Sequence, residues 1–317
     1  METNMTATRN YDIIIVGGGP AALAAAVYAG RAQLKTVILE RAGFGGQVAQ
    51  THAIDNYPGF PKGISGAELT ELMKAQAERF GVETVIDEVT RIDLDGDAKL
   101  VTTREATCRA AVVILAMGAD PRKLDVSGET ELRGRGVSYC GTCDAPFFRN
   151  KRVVAVGGGD TALKEALFIA RFAREVTLVH RRTEFRAERI YQEEIKREPK
   201  MRLALEAVVT RILGQNKVEG VETRHVRTHE VRRIDCDGVF IFVGTEPNTK
   251  FLSNLFPAEA GDHLPTDKDM MTALPGIFAV GDVRKDSYRQ VATAVGEGAT
   301  AGIAAEHWLA QRRAAGA

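Results

Sequence analysis

The residues whose types and spacing promise most chemistry lie mid-chain, in Cys140-Gly141-Thr142-Cys143-Asp144. Two thiols three positions apart can close a small, strained, easily reduced disulfide, and an adjacent carboxylate can move the proton that thiol chemistry requires. The same C-x-x-C spacing also serves as half a zinc site or as a plain pair of core cysteines. Zinc needs two further ligands, and His52, His180, His225 and His229 offer no second paired spacing. Cys108 and Cys236 sit in strand-like runs without a nearby partner cysteine and are expected as core or edge thiols.

Two glycine-rich loops flank this pair. The first, Gly17-Gly18-Gly19-Pro20-Ala21-Ala22, follows the apolar run Ile13–Val16 and precedes an Ala-rich helical stretch to about Arg31. Strand, G-x-G-x-x-A, helix is the dinucleotide fingerprint. Gly17 and Gly19 permit a tight turn and close approach of a pyrophosphate, and Pro20 and Ala21 open the helix whose unpaired amides would receive it. A second strand, Thr36 to Leu39, ends at Glu40, 21 residues beyond Gly19, where an acid can accept hydrogen bonds from a ribose diol. The loops Gly43–Gln47 and Asp55–Phe60 add Gly46 for backbone approach, and Gln47 and Asn56 as amides suited to a flat polar ring; both loops also read as ordinary turns.

The second loop, Gly157-Gly158-Gly159-Asp160-Thr161-Ala162, repeats the pattern after a predicted strand at Arg152–Val156 and before a helix expected to reach about Arg174. Gly157, Gly159, Asp160 and Thr161 are its candidate phosphate-binding positions. Fingerprints 140 residues apart mark two nucleotide-binding domains rather than a short repeat. Where the first ends its second strand in an acid, the second has His180, then Arg181, Arg182 and Arg186. Guanidinium groups there attract a 2′-phosphate that an acid would repel, so the second domain favours NADP and the first a dinucleotide without that phosphate. A solvated basic face is the plainer reading of such a run.

The elements that must hold these loops read as α/β. Ser65-Gly66-Ala67-Glu68 fits a capping box that opens a helix ending near Phe80-Gly81. Glu83–Thr107 reads as an antiparallel meander turning at Asp95-Gly96, and Ala111–Leu115 as another buried strand. Met201 to about Phe242 reads as strands with polar turns, Val243–Asn248 as a turn or hinge, and Ile277–Val280 as a strand ending at Gly281-Asp282. Tyr288-Arg289-Gln290-Val291 then opens a small-residue helix towards Trp308. Balanced charge, 42 Lys+Arg against 42 Asp+Glu, argues for neither a nucleic acid nor an acidic membrane as partner. The apolar runs are too short to span a bilayer, residues 1–10 are polar and lack a secretory h-region, and four cysteines are too few for a disulfide scaffold. A cytoplasmic, reducing location is expected.

In this combination and order the chain resembles the low-molecular-weight thioredoxin reductases of the bacterial type. The segments that carry the resemblance are G-G-G-P-A-A at Gly17, G-G-Q at Gly45, D-N-Y-P-G at Asp55, C-G-T-C-D at Cys140, G-G-G-D-T-A at Gly157, H-R-R-x-x-F-R at His180, G-D-V at Gly281 and Y-R-Q at Tyr288. The resemblance implies two Rossmann-like domains, three-layered, each with a small antiparallel meander. It implies a discontinuous FAD domain, residues 1–117 and 246–317, and an inserted NADPH domain, residues 118–245, which carries the cysteine pair. It implies a homodimer that passes electrons from NADPH through FAD to Cys140–Cys143 and on to thioredoxin. Cys143 would face the flavin, Cys140 would attack the partner and Asp144 would serve as the acid–base group, where a helix N-cap is its simpler role. Glu40, Gln47, Asn56, Gly281, Asp282, Arg289, Gln290 and Val291 would hold FAD. Both the cysteine pair and the NADPH fingerprint must reach one flavin, so the inserted domain is expected to swing about Gly118 and Thr245.

Four positions, in three places, depart from the family pattern. Ala22 replaces a third glycine, Met117 stands where a threonine is usual, and Ala145-Pro146 follows Asp144 where glycine and an aromatic are common. Two other readings remain open at this point. A flavin dithiol oxidase of similar fold would not need Arg181, Arg182 and Arg186. A reductase feeding a peroxiredoxin would usually carry an extra thioredoxin-like region, which ten residues before Tyr11 cannot supply.

Overall fold

The computed structural model describes residues 8–51, 53–257 and 261–315; His52 and most of the polar N-terminal stretch lie outside that set. Two compact units emerge, Met1–Asp120 with Glu246–Ala317, and Pro121–Thr245.

The first unit starts with β1 (Arg9–Val16), α1 (Pro20–Arg31) and β2 (Thr36–Glu40). Continuous β-branched residues form β1 and β2 because both faces of the parallel sheet are covered. Ile13, Ile15, Ile38 and Ile114 face one core with α1. Ile14, Val16, Val37 and Leu39 face another. Helix α2 (Gly66–Arg79) begins where Ser65 Oγ accepts the Glu68 amide at 3.1 Å. Next come β3 (Glu83–Ile86), β4 (Val89–Asp95), β5 (Ala98–Thr103) and β6 (Thr107–Leu115). β3 pairs in parallel with β2, so the antiparallel meander begins only at β4. The turn at Gly81 returns the chain to the sheet edge after a helix, which makes a parallel crossover and not a hairpin.

The chain leaves through β7 (Ala119–Pro121) into the second unit. There β8 (Val137–Ser138) leads to a one-turn helix, α3 (Gly141–Asp144), followed by β9 (Arg152–Gly157), α4 (Asp160–Ala170) and β10 (Glu175–His180). Helix α4 stops short of the expected Arg174. Phe172 and Ala173 bond back to Ile169, and Arg174 donates to Lys151 O, which turns the chain into β10. An unforeseen helix, α5 (Arg189–Arg197), precedes β11 (Met201–Leu205), β12 (Ala207–Leu213), β13 (Gly220–His225), β14 (Val231–Asp235) and β15 (Gly238–Phe242). The sheet runs β11-β10-β9-β15-β8, and β12-β13-β14 is a separate antiparallel meander. One face of β9 and β10 packs on α4 through Val153, Ala155 and Leu178. The other packs on the meander through Val154, Val156 and Val179.

The return strand β16 (Thr245–Pro247) pairs with β7, where the sequence suggested only a turn. Back in the first unit, β17 (Ile277–Ala279) and α6 (Val291–Ala315) complete the fold. Strand β6 divides its free edge: its first half pairs antiparallel with β5, and Val113–Leu115 pair in parallel with β17. Helix α6 lies on α1, and Gly298 permits it: a Cβ there would sit 2.1 Å from Ala21 O.

Candidate redox and dinucleotide sites

Cys140 and Cys143 are joined, with S–S 2.11 Å and Cα–Cα 5.3 Å. Cys140 caps α3, its Sγ accepting the Cys143 amide at 3.2 Å. Ser138 Oγ, at the end of β8, accepts the Cys140 amide at 3.1 Å and fixes the entry to the turn. Asp144 ends α3 at the N-cap position of the next 3-10 turn, without a side-chain capping bond to it. Ala145 starts that 3-10 turn fully buried in the core beside α4, and Pro146, its second residue, has a preset φ. The departure at Ala145-Pro146 therefore anchors the end of the redox turn. Phe148 follows, edge-on to Phe240 at 5.1 Å, while Phe147 is 48% exposed.

The other two cysteines are buried. Burial pushes the Cys236 thiol up to about 12 and also raises Cys108, so neither is primed as a nucleophile. Among the described residues no three His, Cys, Asp or Glu side chains converge as metal ligands.

In the first unit Gly17, Gly19, Glu40, Gly46 and Gly281 meet at the C-terminal ends of β1, β2 and β17, while Val291 packs with Ile54, Ile64 and Leu69. Gly17 adopts φ +102°, and a Cβ there would fall 2.5 Å from Ala116 O. Gly19 caps α1, and nothing occupies the space a Cβ would take. Gly46 lies against Gly19, and Gly45 N donates to Gly18 O at 2.8 Å, so the Gly43–Gln47 loop folds over the fingerprint. Glu40 accepts the Gly18 amide at 2.7 Å and the Ala42 amide at 3.0 Å. Asn56 Nδ2 donates to Gln290 Oε1 at 3.2 Å, joining motifs at opposite ends of the chain. Gly281 approaches Ala21, next to the start of α1. A cavity of about 450 Å³ opens beside Gly17, Leu39, Glu40 and Met117. Met117 offers it a thioether where a hydroxyl is usual.

Asp282 is half-buried, and burial raises its carboxyl from 3.8 to about 6, with Arg289 opposing and Glu297 adding to the rise. A carboxyl beside a glycine cradle suits a ligand that brings hydroxyls to the acid and phosphates to the backbone amides, which is the chemistry of FAD. The donor set therefore fits that cofactor. Sequence reasoning missed Glu297, which accepts the Gly281 amide at 2.7 Å and pairs with Arg284 at 2.9 Å. It props the Gly281-Asp282 turn from beneath. A lone acid among small residues of α6 was the only signal for it. Asp120, which takes the Gln47 amide and faces Arg41 at 3.7 Å, was likewise unannounced.

In the second unit a Cβ on Gly157 would fall 2.5 Å from Phe242 O, and Gly159 caps α4 with open space before it. Arg186 N donates to Gly158 O at 2.8 Å, and Asp160 Oδ1 accepts the Glu188 amide at 2.7 Å. These bonds fold the segment after β10 back over the fingerprint, with Arg181, Arg182 and Arg186 exposed along it. His180 differs from the arginines. Its ring is 7% exposed, packs against Gly158 and lies 5.2 Å from the Phe185 ring. Burial lowers its pKa, the Glu184 carbonyl opposes, and the three arginines lower it further.

A family model for pyridine nucleotide-disulphide oxidoreductases matches residues 11–298. The thioredoxin reductase of Mycolicibacterium smegmatis is 43% identical over 313 residues, covering 98% of this chain and 100% of that protein. That of Treponema pallidum (strain Nichols) is 43% identical over 300 residues, covering 95% and 97%. The chain belongs to the thioredoxin reductase family. The crystal structure of thioredoxin reductase from Streptococcus pyogenes MGAS5005 matches with a TM-score of 0.90 at 42% identity, over 96% of this chain and 100% of that one. The enzyme is an NADPH-dependent disulfide reductase that uses FAD and NADPH, and the bonded Cys140–Cys143 pair fits its redox-active disulfide. No helix among the described residues is long and apolar enough to cross a membrane.

Proposed function

We propose that the enzyme reduces the disulfide of a thioredoxin, holding FAD in the unit built from both ends of the chain and NADPH in the inserted unit. The observation that carries this reading is the Cys140–Cys143 disulfide, flanked by two glycine fingerprints whose second strands end in opposite charge. When bound, FAD relays two electrons from NADPH to that disulfide. Gly17, Gly19, Pro20 and Ala21 would receive its pyrophosphate, Glu40 its ribose, and Asp282 its hydroxyl-bearing chain. Gly46, Gln47, Asn56, Gly281, Arg289, Gln290 and Val291 would close around the rest. Gly157, Gly159, Asp160 and Thr161 would cradle the NADPH pyrophosphate. Arg181, Arg182 and Arg186 would clamp its 2′-phosphate, with His180 as the buried floor of that loop.

Thiol exchange follows once the pair is reduced. The Cys140 thiolate attacks one sulfur of the thioredoxin disulfide. That bond breaks, and its second sulfur leaves as a thiolate that takes up a proton. The Cys143 thiolate then attacks Cys140 in the mixed disulfide. This restores Cys140–Cys143 and releases the thioredoxin sulfur that Cys140 had attacked, with Asp144 moving the protons. Because the pair and the NADPH fingerprint share one unit, the same flavin must serve both in turn, which requires the units to rotate about residues 118–121 and 244–247. A homodimer in the cytoplasm, without membrane or nucleic-acid partners, completes the proposal. Balanced charge and apolar side chains left exposed on α1 and α6 (Tyr28, Ile303) support it.

Anaerobic titration tests the reading. Cys140→Ser should spare bleaching of the flavin by NADPH and abolish thioredoxin reduction. Full thioredoxin turnover by that variant would overturn the assignment. A flavin dithiol oxidase would instead fail to bleach with NADPH.

A further inference from the structure

The redox turn is fastened to α4 by a side chain that the reaction scheme above does not use. Glu165 projects from α4 in the second turn after its start at Asp160. Its Oε2 accepts the Thr142 amide at 3.0 Å and its Oε1 accepts the Thr142 hydroxyl at 3.2 Å. Both carboxylate oxygens are thus committed to Thr142, one of the two residues between the cysteines. Gly141 makes this approach possible, since a Cβ on it would lie 2.3 Å from Glu165 Oε2. The glycine of C-G-T-C is thereby explained by a contact and not by backbone freedom alone.

The chemistry of that contact bears on the thiols. A thiolate formed on reduction gains from nearby N–H donors and is opposed by nearby negative charge. The Cys143 amide already serves Cys140 Sγ, while the Thr142 amide is taken by Glu165. The carboxylate therefore removes one donor from the thiols' neighbourhood and adds a like charge to it. We propose that Glu165 is a positioning residue for dithiol exchange, which holds the Cys140–Cys143 turn on α4 and sets the thiolate content of the reduced pair through its charge on Thr142. This rests on the reading of that pair as the redox centre.

The test uses the full-length FAD-loaded enzyme, reduced with NADPH under anaerobic conditions, with iodoacetamide alkylation followed against pH. Glu165→Gln keeps a group that can accept from the Thr142 amide and donate to its hydroxyl but loses the charge. It should move the alkylation midpoint down by about one pH unit, with the pH profile of thioredoxin turnover moving in the same direction. Glu165→Ala should show the same shift and in addition slow thioredoxin reduction roughly tenfold by loosening the turn, with Glu165→Gln retaining most of that rate. Gly141→Ala should displace the carboxylate and shift the midpoint downward in the wild-type background, yet have little effect on it in Glu165→Ala. An unchanged alkylation profile in Glu165→Gln, or equal shifts from Gly141→Ala in both backgrounds, would overturn the proposal while leaving the function intact. If NADPH exposed no alkylatable thiol in the wild-type enzyme, the functional reading itself would fall.

Discussion

Arg181 and Arg186 are where the proposed nucleotide preference is most open to test. Each charge-assisted contact to a phosphate is worth about 1.5–3 kcal/mol. Replacing either arginine with alanine should raise KM for NADPH by roughly tenfold or more and leave KM for NADH almost unchanged, as steady-state kinetics with both nucleotides would show. Asp282 gives a second residue-scale prediction, this one about pH. Its carboxyl is raised to about 6 in the folded protein, first by burial. The folded pKa lies above the unfolded one, so cofactor-free protein loses stability as pH rises from about 4 to about 6 and carries the full penalty at neutral pH. Asp282→Asn should therefore stabilise the FAD-free protein at pH 7 by about 1–3 kcal/mol and flatten its thermal stability across that window. FAD titration of the same variant should show affinity weakened by roughly tenfold or more. A variant that is less stable at pH 7 would contradict the assigned cause.

The helix pair α1 and α6 carries the element-scale argument. The first glycine fingerprint lies at the start of α1, and α6 follows directly from Tyr288-Arg289-Gln290. Gly298 and Gly302 bring α6 against the α1 backbone, with no room for a Cβ at either position. Gly298→Ala should cost about 1–3 kcal/mol by overpacking and weaken FAD binding, since it moves the element that carries Gln290. Differential scanning calorimetry with and without FAD would measure both. Element boundaries were legible where local signals agree. Ser65 does cap α2, and Gly19 and Gly159 do open α1 and α4. They were illegible where tertiary contacts decide. Nothing local in Glu83–Ile86 distinguishes a strand parallel to β2 from the first strand of a meander. Helix α5 is short and buries only Ile195 fully, so its few apolar positions were easily passed over in the sequence.

Across the whole molecule, each unit has its own core. The clusters around α1 and α6 share no residue with those around α4 and the second meander. Units with separate cores melt semi-independently, and a ligand raises only the transition of the unit it binds. Calorimetry of the cofactor-stripped enzyme should show two transitions. FAD should raise one of them, and NADP⁺ the other. A single transition lifted equally by both ligands would place the nucleotide sites in one cooperative body and contradict the division of labour proposed.

The order of residues alone determined the α/β class, the two fingerprints, the opposite charge at Glu40 and Arg181-Arg182, and a close cysteine pair, whose redox role came with the family resemblance. These features depend on short-range requirements: a dinucleotide fingerprint needs glycine for its tight turn and small residues at its helix start, and two sulfurs must be close in sequence to bond in a single turn. Only the tertiary structure decided which side chains support them. Glu297 beneath Gly281, Asp120 against Gln47, His180 beneath Gly158 and Glu165 on Thr142 all act between segments distant in sequence. A carboxylate or imidazole has no local periodicity that reports its partner, so its role appears only when packing brings two backbones within hydrogen-bonding reach. Cys140-Gly141-Thr142-Cys143 shows both halves of this division. Its spacing suggested the chemistry, and the folded chain showed what holds it, why its second residue is glycine, and which carboxylate bonds its third.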